Sequence, residues 1–183
     1  MIKKIDNVKE DHQLVQRVKN GDQKAFKILF EQNIVPLYRF MKQFSPDKDQ
    51  VDEWVQRAFI KSYENIEKFD GISLYRTWLF KIALNEMRTD YRKIGRIMHD
   101  LEEAENYYAE IDDPDFEWQL VMKNWLFELD EIKRSVFILF EVEGYSHSEI
   151  ASILKISEVN SRAILTRTKN FLREKWLIKE KAR

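Results

Sequence analysis

Four glycines and three prolines are all the backbone punctuation in this 183-residue chain, and so little of it favours long helices joined by few turns. The β-branched residues do not gather into short alternating runs between glycine-rich turns, so a sheet has no signal. Apolar residues recur instead at spacings of three and four. Leu14, Val15 and Val18 form a weak stripe over 9–20. Asn20-Gly21-Asp22 reads as a turn, with a second helix opening near Asp22. Ala25, Phe26, Leu29 and Phe30 carry that helix forward, and Ile34, Leu37, Tyr38 and Met41 resume the pattern. Pro36 between them either kinks the helix or opens a new one, because it has no N–H to donate.

Beyond a break at Ser45-Pro46-Asp47, a helix over about 50–67 places Val51, Trp54, Val55, Ala58, Phe59, Ser62 and Tyr63 on one face. The link after it ends at Asp70-Gly71, and a long helix is predicted over 74–94. Trp78, Leu79, Ile82, Ala83 and Met87 form its expected buried stripe, while Arg76, Lys81, Asn85, Arg88, Arg92 and Lys93 occupy the other side. The pattern then lapses. From Asp100 to Glu117 there are nine acidic residues and no lysine or arginine, a composition that keeps a segment loosely packed. The expected organisation is therefore all-α: a helical domain over 1–94, an acidic linker over 95–117 and a second helical domain over 118–183.

In that second domain Trp118, Val121, Met122, Trp125, Leu126 and Leu129 share one face, and Asp130 can cap the next helix. Ile132, Val136, Phe137, Leu139, Phe140 and Val142 give the next helix a dense core, and Gly144 stops it. Ser146, with Glu149 three residues on, is a capping box, and Ile150, Ile153 and Leu154 face inward behind it. Lys155-Ile156-Ser157 is a short turn whose serine can cap a helix over 158–175, where Leu165, Thr168, Phe171 and Leu172 point inward. Two short helices joined in this way form a helix-turn-helix, whose second member enters the major groove of DNA. The competing reading is a pair of ordinary bundle helices with a solvated basic end. Charge favours DNA: the net charge of −1 conceals eight lysines and arginines between Val159 and Arg183, opposed only by Glu174 and Glu180. The residues expected at the duplex are Ser157, Asn160, Arg162, Ala163, Thr166, Arg167 and Lys169. Asn160 suits an adenine edge and Arg162 a guanine, whereas Arg167 and Lys169 suit phosphates.

Enzyme classes fare badly. Cysteine is absent, and His12, His99 and His147 lie in separate segments, so neither a thiolate site nor a paired-histidine metal site is available. There is no glycine-rich phosphate loop. Asp112 and Asp113 lie in the linker, where nothing holds them in register for acid–base work. No cofactor, metal or small-molecule substrate is expected. The polar N-terminus and the lack of any long apolar run point to a cytoplasmic protein without a membrane span.

The same residues resemble bacterial RNA polymerase sigma factors of the small, extracytoplasmic-function type, over about 20–94 and 118–176. Gly21-Asp22-Gln23-Lys24-Ala25-Phe26 is similar to the family's opening Gly-Asp-x-x-Ala-Phe. Glu53-Trp54-Val55-Gln56-Arg57-Ala58-Phe59 is similar to its Asp-Leu-Val-Gln-Glu-x-Phe helix, which docks on the clamp helices of the largest polymerase subunit. Phe69-Asp70 followed by Tyr75 to Asn85 resembles its Phe-x-x-Trp-Leu-x-x-Ile-Ala-x-Asn signature, and 144–156 follow its Gly-x-Ser-x-x-Glu-Ile-Ala-x-x-Leu-x-Ile. The resemblance implies a transcription initiation factor that binds core RNA polymerase, directs it to promoter DNA and assists melting, with an anti-sigma factor as a further partner. It implies polymerase contacts at Glu53, Trp54, Gln56, Arg57 and Ile60. For the −10 element it implies Lys68, Phe69, Asp70, Tyr75, Arg76, Asn85, Arg88, Arg92 and Lys93. Phe69 and Tyr75 would stack on unpaired bases, while Trp78, on the apolar stripe, is expected in the core. The chain departs from the family at Trp54 (usually Leu), Arg57 (usually Glu), Ser161 (commonly a buried Val) and Ile164 (commonly a DNA-facing Arg). An autonomous helix-turn-helix regulator, or a sigma-like docking adaptor, is the alternative.

Overall fold

In a computed structural model, the chain divides into two compact units, Met1–Ala104 and Glu105–Arg183. Residues 2–97, 121–122 and 124–181 are described, and every regular element among them is helical. The expected linker lies for the most part outside the described residues, as do Trp118 and the aromatic residues Tyr107 and Tyr108. None of the described helices is long and apolar enough to cross a membrane.

The first unit holds α1 (Ile2–Lys19), α2 (Gln23–Met41), α3 (Lys48–Glu64), a single 3-10 turn (Ile66–Lys68) and α4 (Tyr75–Ile97). Local chemistry sets the boundaries. Gly21 takes a φ of +85°, which an L side chain rarely adopts, and turns the chain out of α1. Asp22 then caps α2 by accepting from the Lys24 and Ala25 amides, and Asp47 caps α3 by accepting from Asp49 and Gln50. Pro36 does not end α2, which continues through it to Met41. One turn before the proline, the buried Asn33 amide donates to the Leu29 carbonyl at 2.7 Å.

Helix α4 packs on α1, α2 and α3. Its buried arc is therefore wider than a single stripe: Tyr75, Leu79, Phe80, Ala83, Leu84 and Met87 are all fully covered. Phe80 stacks on Phe40 of α2 at 4.8 Å, rotating the helix toward Phe80 and Leu84. Trp78 and Ile82, expected in the core, are consequently only half-buried.

In the second unit, Trp125, Leu126, Leu129 and Leu172 form a cluster flanked by Val121, Met122, Phe137 and Phe171. Asp130 caps α5 (Glu131–Phe137), which passes directly into a π turn (Ile138–Val142). The Arg134 guanidinium donates to the carbonyls of Leu126, Phe127 and Leu129 at 2.8–3.0 Å, occupying the acceptors left over where the preceding helical segment ends. The π turn shifts the apolar register by one residue. Ile138 and Leu139 go inside, whereas Val142, expected in the core, is exposed; Ile132, also expected there, lies upstream of the π turn at the start of α5 and is exposed too. Gly144, at φ +70°, ends the run.

Next come α6 (His147–Leu154) and α7 (Glu158–Lys181). Both halves of the Ser146–Glu149 capping box are formed. Lys155 adopts the left-handed conformation, φ +58°, in the turn between the helices, and the Ser157 hydroxyl accepts from the Asn160 amide at 3.1 Å. Helix α7 runs six residues beyond the expected end at 175, to Lys181.

Candidate nucleic-acid interface

On α3, Glu53, Gln56 and Ile60 are exposed along one face. Trp54 is not: its ring is fully buried, edge-on to Tyr91 at 5.6 Å, and its indole N–H donates to Asp90 Oδ2 at 2.9 Å. Arg57 is also drawn inward. Its Nη1 and Nη2 donate to the two oxygens of the same Asp90, with Glu86 and Glu53 within 3.9 Å. Lys61 closes the network on Glu86 at 2.6 Å. The Arg57 hydrogen bonds hold the Asp90 carboxyl below the usual carboxylate range, against the opposing pull of burial. The two residues that depart from the family on this helix thus share one acceptor. Trp54 is turned inside and Arg57, still partly exposed, is turned toward α4, because a carboxylate 36 and 33 positions away bonds to both.

Between α3, the 3-10 turn and α4 lies a cleft of about 260 Å³ lined by Lys61, Asn65, Lys68, Trp78, Ile82, Asn85 and Glu86. Lys68 Nζ donates to Asn65 Oδ1 at 2.6 Å. Phe69 and Tyr75, the expected stacking residues, do not reach this cleft's surface. Both are buried, with their rings 6.2 Å apart and edge to face. Ser62 Oγ donates to the Phe59 carbonyl at 2.8 Å. Its single proton is thereby committed, so Tyr75 O–H donates to Ser62 at 2.8 Å. Burial pushes the phenol far above its ordinary pKa. Trp78 packs 5.5 Å from Phe69 and 6.0 Å from Tyr75 and is the member of the trio left at the surface.

Asp70 is exposed and holds the loop tip by accepting from the Ile72 amide at 3.0 Å. Ile72 itself, absent from the sequence-derived candidates, is 84% exposed. Arg76 lies over the Phe80 ring at 5.3 Å. Asn85, Arg92 and Lys93 are exposed and Arg88 half-buried, all along α4.

On α7, Asn160, Arg162, Thr166 and Arg167 are exposed and Ala163 half-buried, just after the exposed cap Ser157. Arg162 pairs with Glu158 one turn earlier. Lys169 pairs with Glu141 at 2.6 Å and lies over the face of Phe140. Ser161 and Ile164 both face inward. Ser161 Oγ meets His147 Nδ1 at 2.9 Å, and the imidazole stacks on Phe140 at 4.5 Å.

Burial first, and the nearby Arg162 second, push the His147 imidazole below its ordinary value of 6.5, against Glu158. A base with a depressed folded pKa stabilises the fold fully above its unfolded pKa and loses that contribution as pH falls through the folded value. The C-terminal unit is therefore expected to melt at a lower temperature at pH 5.5 than at pH 7.5. A His147→Gln variant should flatten that difference in a calorimetric scan. Among the described residues no group of three or more histidines and carboxylates could hold a metal ion.

The chain matches the family described as Sigma-70 region 2 over residues 29–97 and that described as Sigma-70, region 4 over residues 126–172. It is 33% identical over 173 residues to the ECF RNA polymerase sigma-E factor of Escherichia coli (strain K12), spanning 86% of this chain and 90% of that protein. It is also 33% identical over 172 residues to the RNA polymerase sigma factor NccH of Alcaligenes xylosoxydans xylosoxydans, spanning 87% and 91%. Two solved structures resemble it at 26% identity. CnrH, in complex with the cytosolic domain of CnrY, aligns with a TM-score of 0.71 over 90% of this chain and 96% of that one. The sigma factor RpoE, in complex with the anti-sigma factor NepR from Bartonella quintana, aligns with 0.68 over 82% and 96%.

Proposed function

This chain belongs to the extracytoplasmic-function sigma factors of bacterial RNA polymerase, and on that footing we propose that it loads core polymerase onto promoters through three separate surfaces. Glu53, Gln56 and Ile60 on α3 meet the polymerase. The cleft beside Trp78 takes an unpaired base of the −10 element, and the first turns of α7 read the −35 duplex. A partner of the anti-sigma kind that accompanies RpoE in its solved complex would compete for these surfaces.

The observation that carries the DNA-opening part is the half-exposed Trp78 in a cleft whose rim also holds Asn65, Asn85, Lys61 and Lys68. An indole supplies a stacking face, the exposed Asn85 carboxamide can pair with a base edge, and Lys68, exchanging its bond to Asn65, suits an adjacent phosphate. Each part of that set answers one chemical feature of an unstacked nucleotide. Removing the stacking face should cost opening of duplex promoters roughly tenfold, in line with about 1–3 kcal/mol per stacked base.

The test is transcription by polymerase reconstituted with Trp78→Ala, on duplex and on premelted templates. A loss confined to the duplex template supports the assignment, and equal activity of variant and parent on duplex DNA overturns it. Tyr75→Phe serves as the contrast. It removes a buried hydrogen bond and should lower the melting temperature without a selective opening defect.

A further inference from the structure

We propose that α1 is the backing that holds the 66–75 segment in its DNA-opening shape, with Asp11, His12 and Lys19 as its positioning residues. This rests on the reading above that the segment and the cleft beside it meet the melted strand.

The segment makes few hydrogen bonds of its own beyond the 3-10 turn and the Asp70–Ile72 contact, yet it is pinned along its length from one side. Lys19 Nζ donates to the carbonyls of Glu67 at 3.2 Å and Phe69 at 3.1 Å. The His12 ring lies directly over Gly71, so close that a Cβ there would fall 2.4 Å from His12 Nδ1. Asp11 Oδ2 accepts the Tyr75 amide at 2.8 Å, serving as an N-terminal cap for α4 supplied by another helix. Asp11, Val15 and Lys19 recur every four residues, and Val15 between them is fully buried, so these contacts belong to one face of α1.

That arrangement has a physical purpose beyond cohesion. A backbone carbonyl satisfied by an ammonium, an amide satisfied by a carboxylate and a glycine roofed by an imidazole all constrain main chain and leave the outer side chains untouched. Ile72 stays exposed at the tip, and the cleft beside Trp78 stays open. A loop already ordered before DNA arrives does not lose that conformational freedom on binding. Without Lys19 and Asp11 the loop must be ordered by the DNA itself, and the loss appears at the step where bases leave the stack.

Lys19→Met and Asp11→Ala, singly and together, separate this role from mere stability when carried in reconstituted holoenzyme. The double variant should show permanganate reactivity of promoter thymines reduced three- to tenfold on duplex DNA. Its affinity for core polymerase and its transcription from a premelted template should stay within twofold of the parent. Lys19→Arg, which still donates to both carbonyls, should restore opening. The proposal is overturned if opening is unchanged, or if duplex and premelted activities fall in parallel with the melting temperature. Trp78→Ala, run beside them, separates the two ideas. If it opens DNA normally, the strand-capture reading fails; if it is defective while the α1 variants are not, only the role of α1 fails.

Discussion

Asp90→Ala should lower the stability of the N-terminal unit by about 2–3 kcal/mol, less than the roughly 3–5 kcal/mol that breaking a fully buried ion pair costs because Arg57 is 27% exposed, and its melting temperature by more than about 10 °C. One carboxylate satisfies both the buried indole N–H of Trp54 and the Arg57 guanidinium. Removing it strands a donor inside the fold and leaves a cation that is 27% exposed facing Glu86 across a gap. The exposed Lys27–Glu31 pair, at 3.6 Å, is the contrast, because exposed pairs of this kind contribute less than about 1 kcal/mol. If Asp90→Ala costs no more than Lys27→Ala in a thermal melt, the shared acceptor is not a structural tie. Trp54→Leu, the residue usual in the family, removes the indole's demand, so Asp90→Ala should cost less in that background than in the parent. Such non-additivity is expected of residues in one network.

The same contact sets an acid dependence. Arg57 depresses the folded pKa of Asp90 below the ordinary 3.8. For an acid shifted in that direction the stabilisation is complete above the unfolded value and is lost as pH falls through the folded one. Melting curves between pH 5 and pH 3 should steepen the decline in the parent relative to Asp90→Asn. The tie also bears on function, since it turns Arg57 toward α4. On the proposed reading, Glu53, Gln56 and Ile60 are the exposed residues of α3 left to meet the polymerase, with the reversed charge at position 57 turned toward Asp90.

What could be read from the sequence, and what could not, divides along the range of the interaction. The helix-turn-helix was legible because its boundaries are written in adjacent residues: Ser146 with Glu149, Ser157 with Asn160, and Gly144 as a stop. The helix starts at Asp22 and Asp130 were legible for the same reason. A helical wheel, by contrast, gives a stripe but not the number of neighbours around it. Helix α4 touches three helices, so its buried arc takes in Tyr75 and Phe80 and leaves Trp78 partly outside, reversing the assignment of the two aromatics. The π turn after α5 shifts the register with no signal in the apolar pattern, which misplaced Val142; Ile132, upstream of that turn, was misplaced because the stripe was read one turn too far toward the helix start. The link from Trp54 to Asp90 is a polar contact between positions 36 apart, and periodicity carries no trace of it. Ile72 was missed because an exposed apolar residue in a loop belongs to no stripe.

The double variant Arg162→Ala/Arg167→Ala should weaken binding to −35 duplex DNA about a hundredfold at moderate salt, given about 1–3 kcal/mol for a base-reading arginine and a further loss for a phosphate contact. Three observations on α7 decide which cations are available. Lys169 is held by Glu141 and Phe140, and reaching a phosphate would mean giving up both. Ile164, where the family commonly has a DNA-facing arginine, is 8% exposed and belongs to the core, so it offers no contact. Arg162 is paired with Glu158, but both side chains are substantially exposed. An exposed pair at that spacing contributes only about 0.3–0.5 kcal/mol, less than a guanine contact returns. The arginine can therefore leave its partner for the groove, while Glu158 stays behind as a negative charge in the first turn of the reading helix. Glu158→Gln should then raise DNA affinity several-fold, most strongly at low salt where repulsion from phosphates is least screened. Titrations at a series of salt concentrations read both effects. The Arg162/Arg167 pair should flatten the salt dependence, because fewer counterions are released with fewer phosphate contacts. An unchanged slope together with unchanged affinity would show that α7 does not lie in the major groove by its first turns.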